Sequence, residues 1–175
     1  MLKILIVEDE PLLAKTLKHL IELNPRYEVL EIADDLASAL AVAEERLPDI
    51  ALVDLQLARG STGFSVALKL NEIGVPSLFT TGKAPSFPMP DLALGCLMKP
   101  YTEEDIVRAL KAAEDILRGR ERLRPSRPEN LTIYSEAADP EPMLAEVGSE
   151  FLPEPAMAER RSLKSVLSGW WSAAS

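Results

Sequence analysis

The stretch Lys3-Ile4-Leu5-Ile6-Val7-Glu8-Asp9 runs from a short apolar segment straight into two carboxylates. A continuous apolar run, as opposed to an alternating one, marks a strand covered on both faces. A polar group directly after it falls at the carboxyl edge of the sheet, the crevice where open α/β sheets bind ligands. Two later stretches repeat the pattern: Ile50-Ala51-Leu52-Val53 ends in Asp54, and Cys96-Leu97-Met98 ends in Lys99-Pro100. If these strands are neighbours, Glu8, Asp9, Asp54 and Lys99 share one pocket. Three carboxylates held together repel one another, so the set predicts a divalent cation with oxygen ligands and, through the lysine, an anion. That combination suits phosphoryl transfer.

Outward from these strands, residues 2 to about 118 alternate short apolar runs with helical periodicity, as repeated βα units do. Pro11 opens a helix with Leu13, Leu17, Leu20 and Ile21 on one face, which stops near Asn24-Pro25. Residues 28–33 form a second strand, and Asp35 caps a helix carrying Leu36, Ala39, Leu40 and Ala43 that ends before Pro48. Strand three covers 50–54, a helix 64–73 follows, and Gly74 and Val75-Pro76 close it. Strand four spans about 77–81 and strand five about 95–98. Between them Pro85, Pro88 and Pro90 lack backbone donors, so a loop with at most a short helical turn is expected there. Thr102, with Glu104 and Asp105, starts a last helix through Ile106, Ala109, Leu110, Ala113 and Leu117. Five such units make an α/β fold with a doubly wound, five-stranded parallel sheet.

The 175 residues are 47% hydrophobic and 27% charged, enough for one well-buried domain with something added. A net charge of −9 argues against a general nucleic-acid-binding surface. The single cysteine, Cys96, excludes an internal disulfide. With no charged-then-apolar leader at Met1 and no apolar run of spanning length, the chain reads as a soluble, cytoplasmic protein.

Beyond Gly119 the composition changes. Residues 119–155 hold six prolines, Pro125, Pro128, Pro140, Pro142, Pro153 and Pro155, among scattered acids, and read as a poorly ordered linker. Within 156–175, Leu163, Val166, Leu167 and Trp170 recur at helical spacing behind Arg160, Arg161 and Lys164, which predicts a short amphipathic helix. Its apolar face suits a groove on a downstream protein or on the domain itself, and three basic residues give little membrane attraction.

Residues 1–118 resemble the receiver domain of bacterial two-component response regulators. Glu8-Asp9 is similar to that family's acidic pair, Asp54 to its phosphate acceptor, Thr81 to its hydroxyl at the end of strand four, and Lys99-Pro100 to its lysine followed by a cis-proline. The resemblance implies a flavodoxin-like fold with strand order 2-1-3-4-5 and an irregular fourth helix. It implies Mg²⁺ held by Asp9, Asp54 and the Gln56 backbone carbonyl, with Glu8 acting mainly through metal-bound water. It also implies a phosphohistidine donor, either a histidine kinase or a histidine phosphotransfer protein. Chemistry agrees with those roles: a carboxylate attacks a phosphoryl group only when charge on the incoming oxygens is neutralised. Lys99 and the Thr81 hydroxyl supply a charge and a donor for the product.

Two departures concern the readout. Cys96 stands three before Lys99, where many receivers carry a Tyr or Phe. Phe79-Thr80-Thr81-Gly82 resembles instead the Phe-Ala-Thr-Gly signature of the atypical "FAT GUY" receivers, and Ala58 stands where a proline is common after the acceptor. Lys83 and Gln56, each two residues downstream of a site residue, sit where receivers tune hydrolysis of the phosphoaspartate. An alternative class, an aspartyl-nucleophile phosphatase or phosphotransferase, commonly places a second Asp two residues after the nucleophile, where this chain has Gln56. A DNA-binding output is not expected in residues 119–175, which are too proline-rich and acidic for a helix-turn-helix.

Overall fold

A computed structural model of the protein describes residues 1–57, 60–120 and 127–134. Residues 140–175, with the helix expected near their end, lie outside the described residues. The described elements are β1 (Leu2–Val7), α1 (Pro11–Glu22), β2 (Tyr27–Ala33), α2 (Leu36–Arg46), β3 (Ile50–Asp54), α3 (Gly63–Glu72), β4 (Ser77–Thr81), β5 (Gly95–Met98), α4 (Glu103–Leu117) and β6 (Leu131–Ile133). The sheet order is β2-β1-β3-β4-β5-β6, with the first five strands parallel.

Strand alternation divides the core in two. Ile4, Ile6, Ile50, Leu52, Leu78 and Leu97 face one side and pack with Leu17 and Ile21 of α1 and Ile106 and Leu110 of α4. Leu5, Val7, Ala51, Val53, Phe79 and Cys96 face the other, against Ala39 and Ala43 of α2 and Val66, Ala67 and Leu70 of α3. Side chains of successive residues point to opposite faces, so a strand buried on both is apolar throughout. The helices begin where their caps require: Asp35 with Ser38, Thr62 with Ser65 and Thr102 with Asp105 each form a reciprocal capping box, and Pro11 occupies the first turn of α1.

The sheet departs from the sequence reading at one edge. The sheet has a sixth strand: β6 pairs antiparallel with β5 and lies within the stretch read as a linker, so residue 118 is not the edge of the sheet. Between β4 and β5 lies the loop that Pro85, Pro88 and Pro90 predict, with one turn in which the Leu92 and Ala93 N–H groups donate to the Met89 carbonyl, and the irregular fourth helix that the resemblance implies does not form there. The α2/α3 face of the sheet is therefore thinly covered near β5. β6 closes the open edge of β5, and its close approach depends on Gly95, where a Cβ would lie 2.2 Å from the Thr132 carbonyl oxygen. None of the helices formed by the described residues is long and apolar enough to cross a membrane.

Gly95→Ala should push β6 from the sheet while leaving the parallel strands intact, at a cost of about 1 to 3 kcal/mol. Hydrogen exchange should accelerate at the Met98 and Tyr134 N–H groups, which donate to the Asn130 and Leu94 carbonyls, and not at residues 50–54. Unchanged exchange at those two amides would show that β6 does not rest on this contact.

Candidate functional site

β1, β3 and β5 end on the same edge of the sheet, and the residues that follow their apolar runs converge there. Glu8, Asp9, Asp54, Gln56 and Lys99 line one open pocket, with Glu10, Pro11, Leu13 and Gly82 completing its walls. The Lys99 ammonium donates to Glu8 Oε2 at 2.7 Å and to Asp54 Oδ2 at 2.8 Å. The other Asp54 oxygen accepts the Gln56 N–H at 3.1 Å, and Glu8 Oε1 accepts the Glu10 N–H at 3.3 Å. Both carboxylates are thus held at each oxygen, and neither rotates freely.

Backbone packing fixes these positions. The Glu8 N–H donates to the Ala33 carbonyl, and the Lys99 N–H to the Thr81 carbonyl at 2.8 Å, which ties the end of β5 to that of β4. Gly63 opens α3 against the Asp54 backbone, where a Cβ would sit 2.2 Å from the Asp54 carbonyl oxygen, so only glycine lets the helix start this close. The Lys99–Pro100 peptide is cis. Thr81 is fully buried beside the pocket and not on its wall: its Oγ1 donates to the Lys83 carbonyl at 3.2 Å and accepts the Lys83 N–H at 3.3 Å.

Burial pushes the Glu8 carboxyl above its ordinary range against the opposing pull of Lys99, with the nearby Asp54 charge adding to the rise. For Lys99, burial alone would release the proton, but the hydrogen bonds to Asp54 and Glu8 outweigh it and hold the ammonium above the usual lysine value. One cation therefore serves two acids. All protein donors available to a metal in this pocket are oxygens, the set that suits Mg²⁺, although no three His, Cys, Asp or Glu among the described residues are already gathered as a metal site.

The apolar stripe expected on α1 places Leu13 in the core, but Leu13 is partly exposed and forms part of the pocket wall; Ala14 is buried in its stead. Cys96 is 3% exposed on β5, and burial pushes its thiol up to about 11. Its neighbour Tyr134, just past β6, was not singled out in the sequence, and burial with the adjoining thiol pushes that hydroxyl up to about 12. The signal was the run Leu131-Thr132-Ile133-Tyr134, rich in β-branched and aromatic residues beyond Pro128.

Replacing Lys99 with Met removes the counter-charge and raises the Glu8 pKa further. A carboxyl with a raised folded pKa contributes stability that is complete below its unfolded value and is lost as pH rises through the folded one. Lys99→Met should therefore destabilise the protein more at about pH 7.5 than at about pH 4, by about 1.4 kcal/mol for each unit the Glu8 pKa rises. Urea unfolding at both pH values measures this, and an equal effect at both would show that Lys99 does not hold Glu8 ionised.

The response regulator receiver domain model matches residues 4–111. The sensory transduction protein LytT of Bacillus cereus is 34% identical over 117 residues, covering 63% of this chain and 46% of LytT. The positive alginate biosynthesis regulatory protein of Pseudomonas aeruginosa is 36% identical over 118 residues, 64% of this chain and 47% of that protein. The chain thus matches about half the length of these relatives. The signal receiver domain of a modulated diguanylate cyclase from Desulfovibrio desulfuricans superposes with a TM-score of 0.60 at 30% identity, over 68% of this chain and 98% of that domain. With the parallel sheet in receiver order and the acidic edge where β1 and β3 end, the chain belongs to the response regulator receiver family.

Proposed function

We propose that Asp54 accepts a phosphoryl group from a phosphohistidine carried by a histidine kinase or a histidine phosphotransfer protein, and that the change is read by a protein partner. The observation that carries this reading is the Lys99 ammonium lodged between Glu8 and Asp54 at the ends of β1, β3 and β5. In the transfer, an Asp54 carboxylate oxygen forms the new P–O bond as the P–N bond breaks, and the imidazole nitrogen keeps the electron pair. Two held oxygens orient the carboxylate for in-line attack, which is most of what phosphoryl transfer asks of a protein. Asp9, Asp54 and the Gln56 carbonyl would hold Mg²⁺, with Glu8 acting through its water. When bound, that ion offsets the charge on the transferred oxygens.

The product changes the balance around Lys99. A phosphoryl group brings about −1.5 to −2 charges at neutral pH and draws the ammonium toward its oxygens. The Thr81 hydroxyl is the next donor within the β4 end, and reaching the phosphoryl group means giving up both of its bonds to Lys83. Water attack on phosphorus later returns the carboxylate and inorganic phosphate, so the domain is a self-resetting switch and not a turnover enzyme.

The same residues also support a subtype. Phe79-Thr80-Thr81-Gly82, Cys96 on β5, and a β4–β5 connection without a helix support a receiver of the FAT GUY kind, and the composition of residues 119–175 suits a segment for a downstream protein.

Incubation with phosphohistidine donors and Mg²⁺ should label the native chain and not Asp54→Asn. Labelling that survives the substitution overturns the assignment. Lys83→Ala should change the lifetime of the phosphoaspartate, followed by loss of label after donor removal; an unaltered lifetime would leave Lys83 without a part in hydrolysis.

A further inference from the structure

The missing helix between β4 and β5 leaves two hollows that share one wall. The smaller, of about 150 Å³, lies between Pro85 and Phe87 on the connecting segment and Cys96, Met98 and Tyr134 beneath it. The larger, of about 490 Å³, is a mainly apolar groove running from Leu55 and Gln56 past Phe64 to Met89, and Phe87 borders it as well. Phe87 is 66% exposed. A cavity of about 150 Å³ has the volume of one benzene ring, so a phenyl ring stands in water beside a partly open hollow of its own size, walled by Pro85, Met98 and Cys96 together with the more polar Ser86, Thr132 and Tyr134. Cys96, a small side chain on β5, is part of the lining of that space.

The segment bearing Phe87 is anchored at two points. Its far end is the turn at Met89. Its near end is Lys83, whose N–H and carbonyl are both bonded to Thr81 Oγ1. Between the anchors there is no regular structure, and Pro85, Pro88 and Pro90 keep it from forming a helix. The near anchor is thus a single hydroxyl at the end of β4, next to the strand end that carries Asp54. Moving that hydroxyl toward Asp54 breaks both bonds and frees the segment on the side of Phe87. Burial of the exposed ring then favours the move inward.

We propose that Phe87 is the side chain that reports the state of Asp54: its ring leaves the groove wall and enters the hollow against Cys96, Met98 and Tyr134 when Asp54 is phosphorylated. The inference rests on Asp54 as phosphoacceptor and adds the residue that moves and the groove that it reshapes. The groove starts at Gln56, two residues from Asp54, so its widening is a surface change that a partner protein can read beside the acceptor.

The test uses the full chain with 4-fluorophenylalanine at its four phenylalanines, Phe64, Phe79, Phe87 and Phe151, observed by ¹⁹F NMR. The Phe87 resonance is the one lost in Phe87→Leu, an exposed substitution that leaves the core untouched. Its H₂O/D₂O isotope shift should be near that of free fluorophenylalanine without additives, and should fall by more than half when beryllofluoride and Mg²⁺ are added as the phosphoryl analogue. In Cys96→Met, where the thioether fills the hollow, the isotope shift should stay high under the same addition. Backbone amide shifts at residues 8, 54 and 99 report analogue binding independently. A bound analogue with an undiminished Phe87 isotope shift overturns this inference alone. No amide change at those residues overturns the phosphoacceptor reading and this inference with it.

Discussion

One buried ammonium holds two carboxylates at the edge of the sheet, and the arrangement of the domain follows from placing it there. Lys99 is 45 residues from Asp54 and 91 from Glu8 along the chain, and it meets both within 2.8 Å. Those contacts require β1 and β3 to be adjacent and β5 to end level with them across β4. The fully buried strands supply that alignment, since a one-residue slip would turn each strand's side chains to the opposite face. Glu8 at 3% exposed would be a costly charge without a partner, and its raised pKa is the residue of that cost.

The two faces of the sheet are unequal beyond this edge. α1 and α4 cover one side, while α2 and α3 cover only part of the other, because three prolines keep residues 82–94 from completing the layer. β6 compensates at the open edge: it pairs with β5, and the Asn130 side chain donates to the Met98 and Pro100 carbonyls on either side of Lys99. The end of β5 is thereby fastened from both sides, by β4 through the Lys99 N–H and by the segment leading into β6. The acidic edge is thus tied down at Lys99, while the segment past Lys83 has no such ties.

What the sequence made legible is what local rules decide. Continuous apolar runs closed by Glu8, Asp54 and Lys99 announced strand ends, and Asp35, Thr102 and Pro11 sit where helices begin because each satisfies or spares backbone donors of the first turn. β6 was hidden because three residues between prolines carry little periodic signal, and its stability comes from pairing with Gly95–Leu97, a partner more than thirty residues away. Leu13 fits the helical period of α1, but the period does not reveal that the first turn of the helix projects over the pocket. The orientation of Thr81 Oγ1 toward Lys83 was equally unreadable, since either rotamer places a hydroxyl at the end of β4.

The shared lysine also couples the two charges that the site would take up. A dianionic group on Asp54 would compete with Glu8 for the same ammonium, and loss of that cation would let burial push the Glu8 carboxyl further up. Drawing Lys99 toward the phosphoryl oxygens therefore leaves a carboxylate that either gains a proton or gains another positive neighbour. Asp9 and Gln56 line the same pocket, so a divalent ion bound there would answer the charge on Glu8 and on a phosphoryl group together. If Asp54 takes a phosphoryl group as proposed, a reversibly bound phosphoryl analogue and a divalent ion would be linked through this one side chain, each favouring the other by the same factor.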